Sequence, residues 1–215
     1  MKVFVVIPAY NEEKRIGKVL SDVKKEGFDF IVIDDGSKDK TALVAKKYTP
    51  NVVKHPVNLG KGAALKTGCE AALRMGAEAI IIMDSDGQHK ASDLIKFTTA
   101  LSSYDVVFGF RENAKIPFVR LLGNRLITTV VSLLFGINVR DILCGFKAFT
   151  KRAYQRINWS SIGYSVETEI VAMAGKYKLA NCEVSVATVY YDKFKGLTVE
   201  QGLGILFDTI RFKLR

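Results

Sequence analysis

The first half of the chain alternates short, wholly apolar runs with longer segments that are apolar at every third or fourth position. Val3-Phe4-Val5-Val6-Ile7, Phe30-Ile31-Val32-Ile33, Ala79-Ile80-Ile81-Ile82 and Val106-Val107-Phe108 are of the first kind, and a shorter one covers Asn51–Lys54. Runs of this length without polar alternation predict strands buried on both faces of a parallel sheet. Between them lies a helix ending near Lys25, with Ile16, Val19, Leu20 and Val23 on one face and Gly27 as its stop. Further helices carry Leu43, Val44 and Ala45, span Ala63–Met75, and run from Ser92 to Leu101. Asp39 or Ser37 is placed to cap the second helix. Strands alternating with helices at these lengths predict an α/β fold, a mostly parallel, doubly wound sheet with helices on both faces.

The second half is less regular. Pro117–Phe135 predicts a helix with Arg120 and Arg125 early, followed by an uncharged stretch of 14 residues from Leu126 to Val139. That is short of the ~20 residues that span a bilayer, and it suits either an interfacial or a core helix. Cys144–Phe149 reads as a strand, Val166–Tyr177 as a helix with Glu167 and Glu169 near its start, and Cys182–Val189 as a strand. A basic loop, Tyr191–Gly196, then leads to a final helix over Thr198–Arg215. That helix sets Leu203, Ile205, Leu206, Phe207, Ile210, Phe212 and Leu214 beside Arg211, Lys213 and Arg215. The combination fits docking on an acidic membrane surface as well as packing on the sheet.

Composition narrows the picture. With 215 residues, 48% hydrophobic and 25% charged, and no repeat or low-complexity tract, the chain is sized for one domain spanning 1–215. Three cysteines (Cys69, Cys144, Cys182), far apart and without CxxC spacing, predict buried thiols in a reducing compartment. Lys2 leads straight into the first strand, so no secretory signal is expected. The net charge of +10 is uneven: residues 1–110 hold 16 Lys/Arg against 14 Asp/Glu, and residues 111–215 hold 16 against 8. A basic second half predicts an anionic partner, acidic lipid headgroups or a phosphorylated substrate. No nucleic-acid module accompanies the charge, so nucleic acid is not expected.

The chemistry concentrates in Met83-Asp84-Ser85-Asp86-Gly87-Gln88-His89, directly after the apolar run 79–82. Two carboxylates spaced i, i+2 at a strand end build a poor core but can hold a hard divalent cation against a diphosphate. In doubly wound sheets ligands bind beyond the carboxyl ends of the strands, and Tyr10, Asp35, Asp86 and Arg111 all fall at that edge. Gly60-Lys61-Gly62 is neither a dinucleotide fingerprint, since Leu65 stands where its last glycine would, nor a P-loop. HExxH, GxSxG and the kinase motifs are absent. His55 and His89 are the only histidines, so a His-based triad or multi-histidine metal site is not expected, and His89 reads as a polar loop residue.

Val5-Val6-Ile7-Pro8-Ala9-Tyr10-Asn11-Glu12, Val32-Ile33-Asp34-Asp35-Gly36-Ser37-Lys38-Asp39, Asn58-Leu59-Gly60-Lys61-Gly62 and Asp84-Ser85-Asp86-Gly87-Gln88-His89 resemble the ordered signature of family 2 glycosyltransferases. The resemblance covers roughly residues 2–200. Within that family the chain resembles the dolichyl-phosphate (polyprenyl-phosphate) mannose and glucose synthases. That narrower likeness rests on Gln88-His89, Gly109-Phe110-Arg111, the basic stretch from Arg120, and Asp141-Ile142-Leu143-Cys144-Gly145-Phe146-Lys147. It implies a Rossmann-like sheet of the GT-A type. Residues 1–110 would form the nucleotide-sugar-binding half, and 111–215 the acceptor- and membrane-facing half. It further implies that Pro8, Tyr10, Glu12, Ile33 and Asp35 hold base and ribose, and that Asp84 and Ser85 line the ribose and sugar. Asp86 and Gln88 would ligate Mg²⁺ or Mn²⁺, while Arg111, Arg120 and Lys193 face the diphosphate or the acceptor phosphate. Two positions depart from the family pattern: Val199 replaces a second lysine of the basic loop, leaving Lys195, and Lys90-Ala91 stands where a proline is usual.

The implied reaction is metal-dependent, inverting transfer of a hexose from a nucleotide sugar, of GDP-mannose or UDP-glucose type, to dolichyl or polyprenyl phosphate. It would take place peripherally at the cytoplasmic face of a membrane. A lipid monophosphate is already anionic, so no strong base is required, in keeping with the scarcity of histidine. Asp86, Arg111 and Asp141 are the expected catalytic residues, Asp141 either as a base or by positioning Arg140 or Lys147. Three alternatives stand beside this: transfer to a carbohydrate hydroxyl, which needs a general base, a sugar nucleotidyltransferase, and a non-enzymatic nucleotide-sugar-binding subunit.

Overall fold

In the computed structural model of the chain, residues 1–111, 118–187 and 199–214 are described, with backbone alone at 118–122, 199–201 and 203. The strands are β1 (Val3–Ala9), β2 (Asp29–Asp34), β3 (Val52–Lys54), β4 (Ala79–Ile82), β5 (Val106–Arg111), β6 (Lys147–Thr150) and β7 (Asn181–Val186). They form one sheet in the order β3-β2-β1-β4-β6-β5-β7. Four neighbouring pairs are parallel, and β6 runs antiparallel to both β4 and β5. The helices are α1 (Ile16–Lys25), α2 (Thr41–Ala45), α3 (Lys61–Arg74), α4 (Leu94–Ala100, entered through a 3₁₀ turn at Ala91–Asp93), α5 (Phe118–Phe135), α6 (Lys151–Ile157), α7 (Val166–Lys176) and α8 (Val199–Leu214).

The unbroken apolar runs are explained by burial on both faces. On β1, Phe4 and Val6 point into the core shared with α3, α5, α7 and α8, while Val5 and Ile7 point to the side covered by α1 and α4. Period-two side-chain alternation makes this obligatory once both faces are covered. The apolar stripe of α1 read from its spacing is its buried face: Ile16, Val19, Leu20 and Val23.

Three features differ from the sequence reading. The strand foreseen at Cys144–Phe149 begins only at Lys147, and it enters the sheet antiparallel between β4 and β5. Helix α6 was not foreseen at all; its Thr150 cap accepts a hydrogen bond from Ala153 N–H. Neither expected cap of α2 occupies the cap position, which is Lys40, although Asp39 Oδ1 does accept from Thr41 N–H at 2.9 Å. Among the described residues no helix is long and apolar enough to cross a membrane.

Candidate active site

Because β6 is antiparallel, its first residue, Lys147, sits opposite the last residue of β4, Ile82. The preceding loop is thereby carried over the carboxyl end of β4. A Cβ on Gly145 would crowd Asp84 Oδ2 and stand 3.0 Å from Lys61 Nζ, so any larger residue here must displace that ion pair. Asp84 Oδ1 pairs with Lys61 Nζ at 2.7 Å, and Lys61 also reaches Glu167 Oε1 at 2.6 Å. One ammonium, from α3, thus serves two carboxylates, one at the end of β4 and one at the start of α7. Burial alone would push Lys61 down, but the charges of Asp84 and Glu167 outweigh it and raise the ammonium well above its ordinary range. Burial likewise favours a protonated Asp84, yet Lys61 prevails and holds that carboxyl below the usual range.

The Gly60-Lys61-Gly62 turn is a close-approach site. Gly62 and Ala63 N–H both donate to Ile162 C=O (2.7 and 3.3 Å), and Trp159 Nε1 donates to Gly62 C=O at 3.1 Å. A Cβ on Gly62 would lie 2.0 Å from the Ser161 carbonyl oxygen. The abutting segment is fastened by Glu169, which accepts from Ser160 and Ser161 N–H at 3.0 and 2.8 Å. Sequence reasoning assigned no role to Lys61, Trp159, Glu167 or Glu169. The available signals were the chain's single tryptophan and two carboxylates at the head of an otherwise apolar helix.

Asp86 lies one step beyond. Its oxygens accept from Gln88 N–H at 3.0 Å and Gln88 Nε2 at 2.9 Å. Burial, with the negative charge of Asp84 behind it, pushes the Asp86 carboxyl up. Lys61 is consumed by Asp84 and Glu167, so negative charge is in surplus at Asp86. An all-oxygen set of one carboxylate and one amide with such a surplus fits a hard divalent cation that takes its other ligands from phosphates and water. Among the described residues no group of three or more His, Cys, Asp or Glu converges into a self-sufficient metal site. His89 is corrected from a polar loop residue to a buried one. Its ring lies 5.0 Å from that of Phe146, and burial lowers its pKa to about 4.

Arg111, ending β5, grips Asp141 side-on, with Nε to Oδ2 at 2.6 Å and an Nη to Oδ1 at 2.9 Å. Burial works against the Asp141 charge, but Arg111 overrides it and keeps the carboxyl below the usual range. The expected partners of Asp141 are thus replaced. Arg140 instead lies over the Phe110 ring and pairs with Glu183, and Lys147 is fully buried, donating to the carbonyls of Ile142 and Cys144. Burial pushes the Lys147 ammonium down.

The residues expected at the base and ribose fall into two groups. Tyr10 is exposed at the end of β1, and Glu12, beside it, pairs with Arg15 at 3.2 Å. Pro8 and Ile33 are buried, Ile33 against α3, so Ile33 can offer a nucleotide only its backbone. Asp35 is buried and engaged: its carboxylate accepts from His55 Nδ1 (2.7 Å), Leu59 N–H (3.0 Å) and Gly60 N–H (2.9 Å). It anchors the loop that delivers Lys61. Ser85 is buried beside Asp84. Lys193 and Lys195 lie outside the described residues, as do the side chains of Arg120 and Val199.

A strand-end carboxylate pair, a lysine held between acids and an arginine paired with an aspartate thus gather at one edge of this sheet. The family model described as Glycosyl transferase family 2 matches residues 4–158. The chain belongs to that family and is a glycosyltransferase. An uncharacterized protein of Methanocaldococcus jannaschii is 38% identical, over 99% of this chain and 93% of its own. The UDP-N-acetylglucosamine–dolichyl-phosphate N-acetylglucosaminyltransferase of Methanococcus voltae is 30% identical, over 99% and 96%. The human dolichyl-phosphate beta-glucosyltransferase is 28% identical, over 97% and 75%. Glucosyl-3-phosphoglycerate synthase from Mycobacterium tuberculosis, crystallised with Mn²⁺, UDP and its product, matches with a TM-score of 0.75 at 20% identity, over 99% of this chain and 78% of that one. This last likeness is one of fold, which is of the GT-A type.

Proposed function

We propose that the chain transfers a hexose from a nucleotide sugar to the phosphate of a dolichyl or polyprenyl lipid, with inversion at the anomeric carbon. The observation that carries this is the meeting of the Asp84–Lys61–Glu167 cluster, the Asp86–Gln88 turn and the Arg111–Asp141 pair at one sheet edge. Relatives named for dolichyl phosphate support the acceptor, and the one named for UDP-N-acetylglucosamine favours a UDP-sugar over GDP-mannose.

Tyr10 would stack on the base, with Pro8, Glu12, Ile33 and Asp35 shaping its seat and Asp84 and Ser85 lining the ribose and sugar. Asp86 and Gln88 would hold Mg²⁺ or Mn²⁺, which when bound supplies Lewis-acid stabilisation of the departing diphosphate. Arg111, with Arg120 and Lys193, would hold the acceptor phosphate in line with the anomeric carbon. A phosphate oxygen attacks, the bond to the nucleoside diphosphate breaks, and no proton needs removal. Asp141, engaged by Arg111 and held below the usual carboxylate range, is a poor general base, which favours the phosphate acceptor over a carbohydrate hydroxyl. In this reading residues 1–215 act as one domain, peripheral at the cytoplasmic membrane face, with donor and acceptor halves meeting near Arg111.

Incubation with Mn²⁺, dolichyl phosphate and radiolabelled UDP-glucose, UDP-N-acetylglucosamine or GDP-mannose tests the reading. Labelled lipid with release of nucleoside diphosphate is expected, and Asp86→Ala should reduce it at least about 100-fold. No labelled lipid from any donor, or pyrophosphate release, overturns it.

A further inference from the structure

A buried asparagine inside an apolar helix calls for a reason, since asparagine is a poor helix former and an unpaired buried amide is costly. Asn124 on α5 is such a residue. Its Nδ2 donates to Asp141 Oδ1 at 3.1 Å, the same oxygen that receives an Arg111 Nη at 2.9 Å, while its own Oδ1 has no protein partner. Asp141 sits in the loop between α5 and β6, and Arg111 ends β5, so three separate segments meet at one carboxylate. With Nε of Arg111 on Oδ2, the guanidinium plane is set by Asp141, and the Asp141 plane by Asn124.

We infer that Asn124 is a positioning residue: through the Asp141 carboxylate it fixes the orientation in which Arg111 meets the phosphate of the acceptor. The inference rests on the acceptor reading above, but its geometric half is independent of it. It makes α5 a part of the site through its buried face, whatever its outer face touches. Facing Asp141 are Arg111 from β5, Lys147 from β6, Glu183 from β7, and Cys144 and His89 from adjoining loops.

Two variants of the full chain test it. Asn124→Leu keeps the volume and removes the donor. The acceptor KM should rise about tenfold, as for a lost hydrogen bond to a charged group, with the donor KM unchanged. Asn124→Asp is isosteric but sets a second carboxylate against Asp141. At pH 7.5 the two repel, and on acidification a shared proton restores the bridge. The kcat/KM of this variant for acceptor should therefore recover as pH falls toward 5, whereas the wild type gains nothing there. A profile for Asn124→Asp that parallels the wild type overturns the inference. So does an unchanged Arg111 Nε–H NMR resonance in Asn124→Leu, a readout that needs no turnover. If the wild type labels no lipid, the acceptor reading falls, and the resonance still decides whether Asn124 orients Arg111.

Discussion

Lys61 is the residue on which the candidate site turns, because its one charge is divided between Asp84 and Glu167. Lys61→Met leaves the buried Glu167 carboxylate and the partly buried Asp84 carboxylate without their direct ion-pair partner. Breaking such an arrangement costs about 3–5 kcal/mol, so the urea midpoint should fall accordingly and donor binding should be lost. An unchanged midpoint would show that the cluster is not energetically coupled. Lys61→Arg is not expected to rescue, since Lys61 Nζ already lies 3.0 Å from where a Gly145 Cβ would stand. Gly145→Ala should itself act like a donor-site lesion: its methyl would fall 2.3 Å from Asp84 Oδ2, and calorimetry should show weaker UDP binding. His89 supplies a pH signature. Its folded pKa is depressed to about 4 from an ordinary 6.5, so the unfolded chain binds the extra proton between those values. Stability is therefore intact above pH 6.5 and declines as pH falls toward 4, by about 3 kcal/mol for this shift. Denaturant titrations of metal-free protein should show that decline in the wild type and not in His89→Gln.

At the scale of elements, the loop carrying Lys61 is held from two sides, by Asp35 beneath it and by the 159–162 segment against it. Trp159 joins the second support through its hydrogen bond to Gly62 and its edge-on packing with Tyr154 and Phe149. Trp159→Phe should cost about 2 kcal/mol and raise the donor KM; a stability loss with no change in donor KM would make Trp159 a core residue only. Helices α5 and α8 show how one helix serves two surroundings. Val131 and Ile127 on α5, and Ile205 and Phe212 on α8, enter the core, while Leu133, Phe207 and Leu214 are 80%, 71% and 85% exposed. Arg125 and Arg211 are exposed as well, whereas the Lys213 ammonium donates to Leu134 C=O and lies over the Phe135 ring. If the proposed acceptor lipid is met here, each cation near an acidic bilayer would add about 1 kcal/mol to binding. Flotation with vesicles containing anionic lipid should recover the wild type at low salt and lose the Phe207→Glu/Leu214→Glu double variant. Equal flotation of the two would remove α8 from the membrane contact.

For the whole molecule, the order of motifs along the chain was legible and their meeting was not. The apolar runs announced the strands of a parallel sheet, and the strand-end carboxylates Asp84 and Asp86 marked its chemical edge, because local hydrophobic period and a carboxylate after a buried strand are properties of adjacent residues. The same logic fixed the buried face of α1. The antiparallel entry of β6 left no such trace, since strand direction in a sheet is decided by how the chain returns from α5, not by the residues of the strand. That single reversal brings Gly145 onto Asp84 and sets Asp141 beside Arg111, 30 positions earlier in the chain. It also explains why Asp141 pairs with Arg111 and not with Arg140 or Lys147, which are nearer in sequence. Sequence by itself determined the strands and helices of the first half, the family signature and the carboxylate motif, all written in neighbouring residues, whereas α6 and the bounds of β6 came only from the structure. Only the tertiary structure decided which charges neutralise one another, for Lys61, Asp84 and Glu167 come from three elements, and Coulombic pairing depends on distance in space alone.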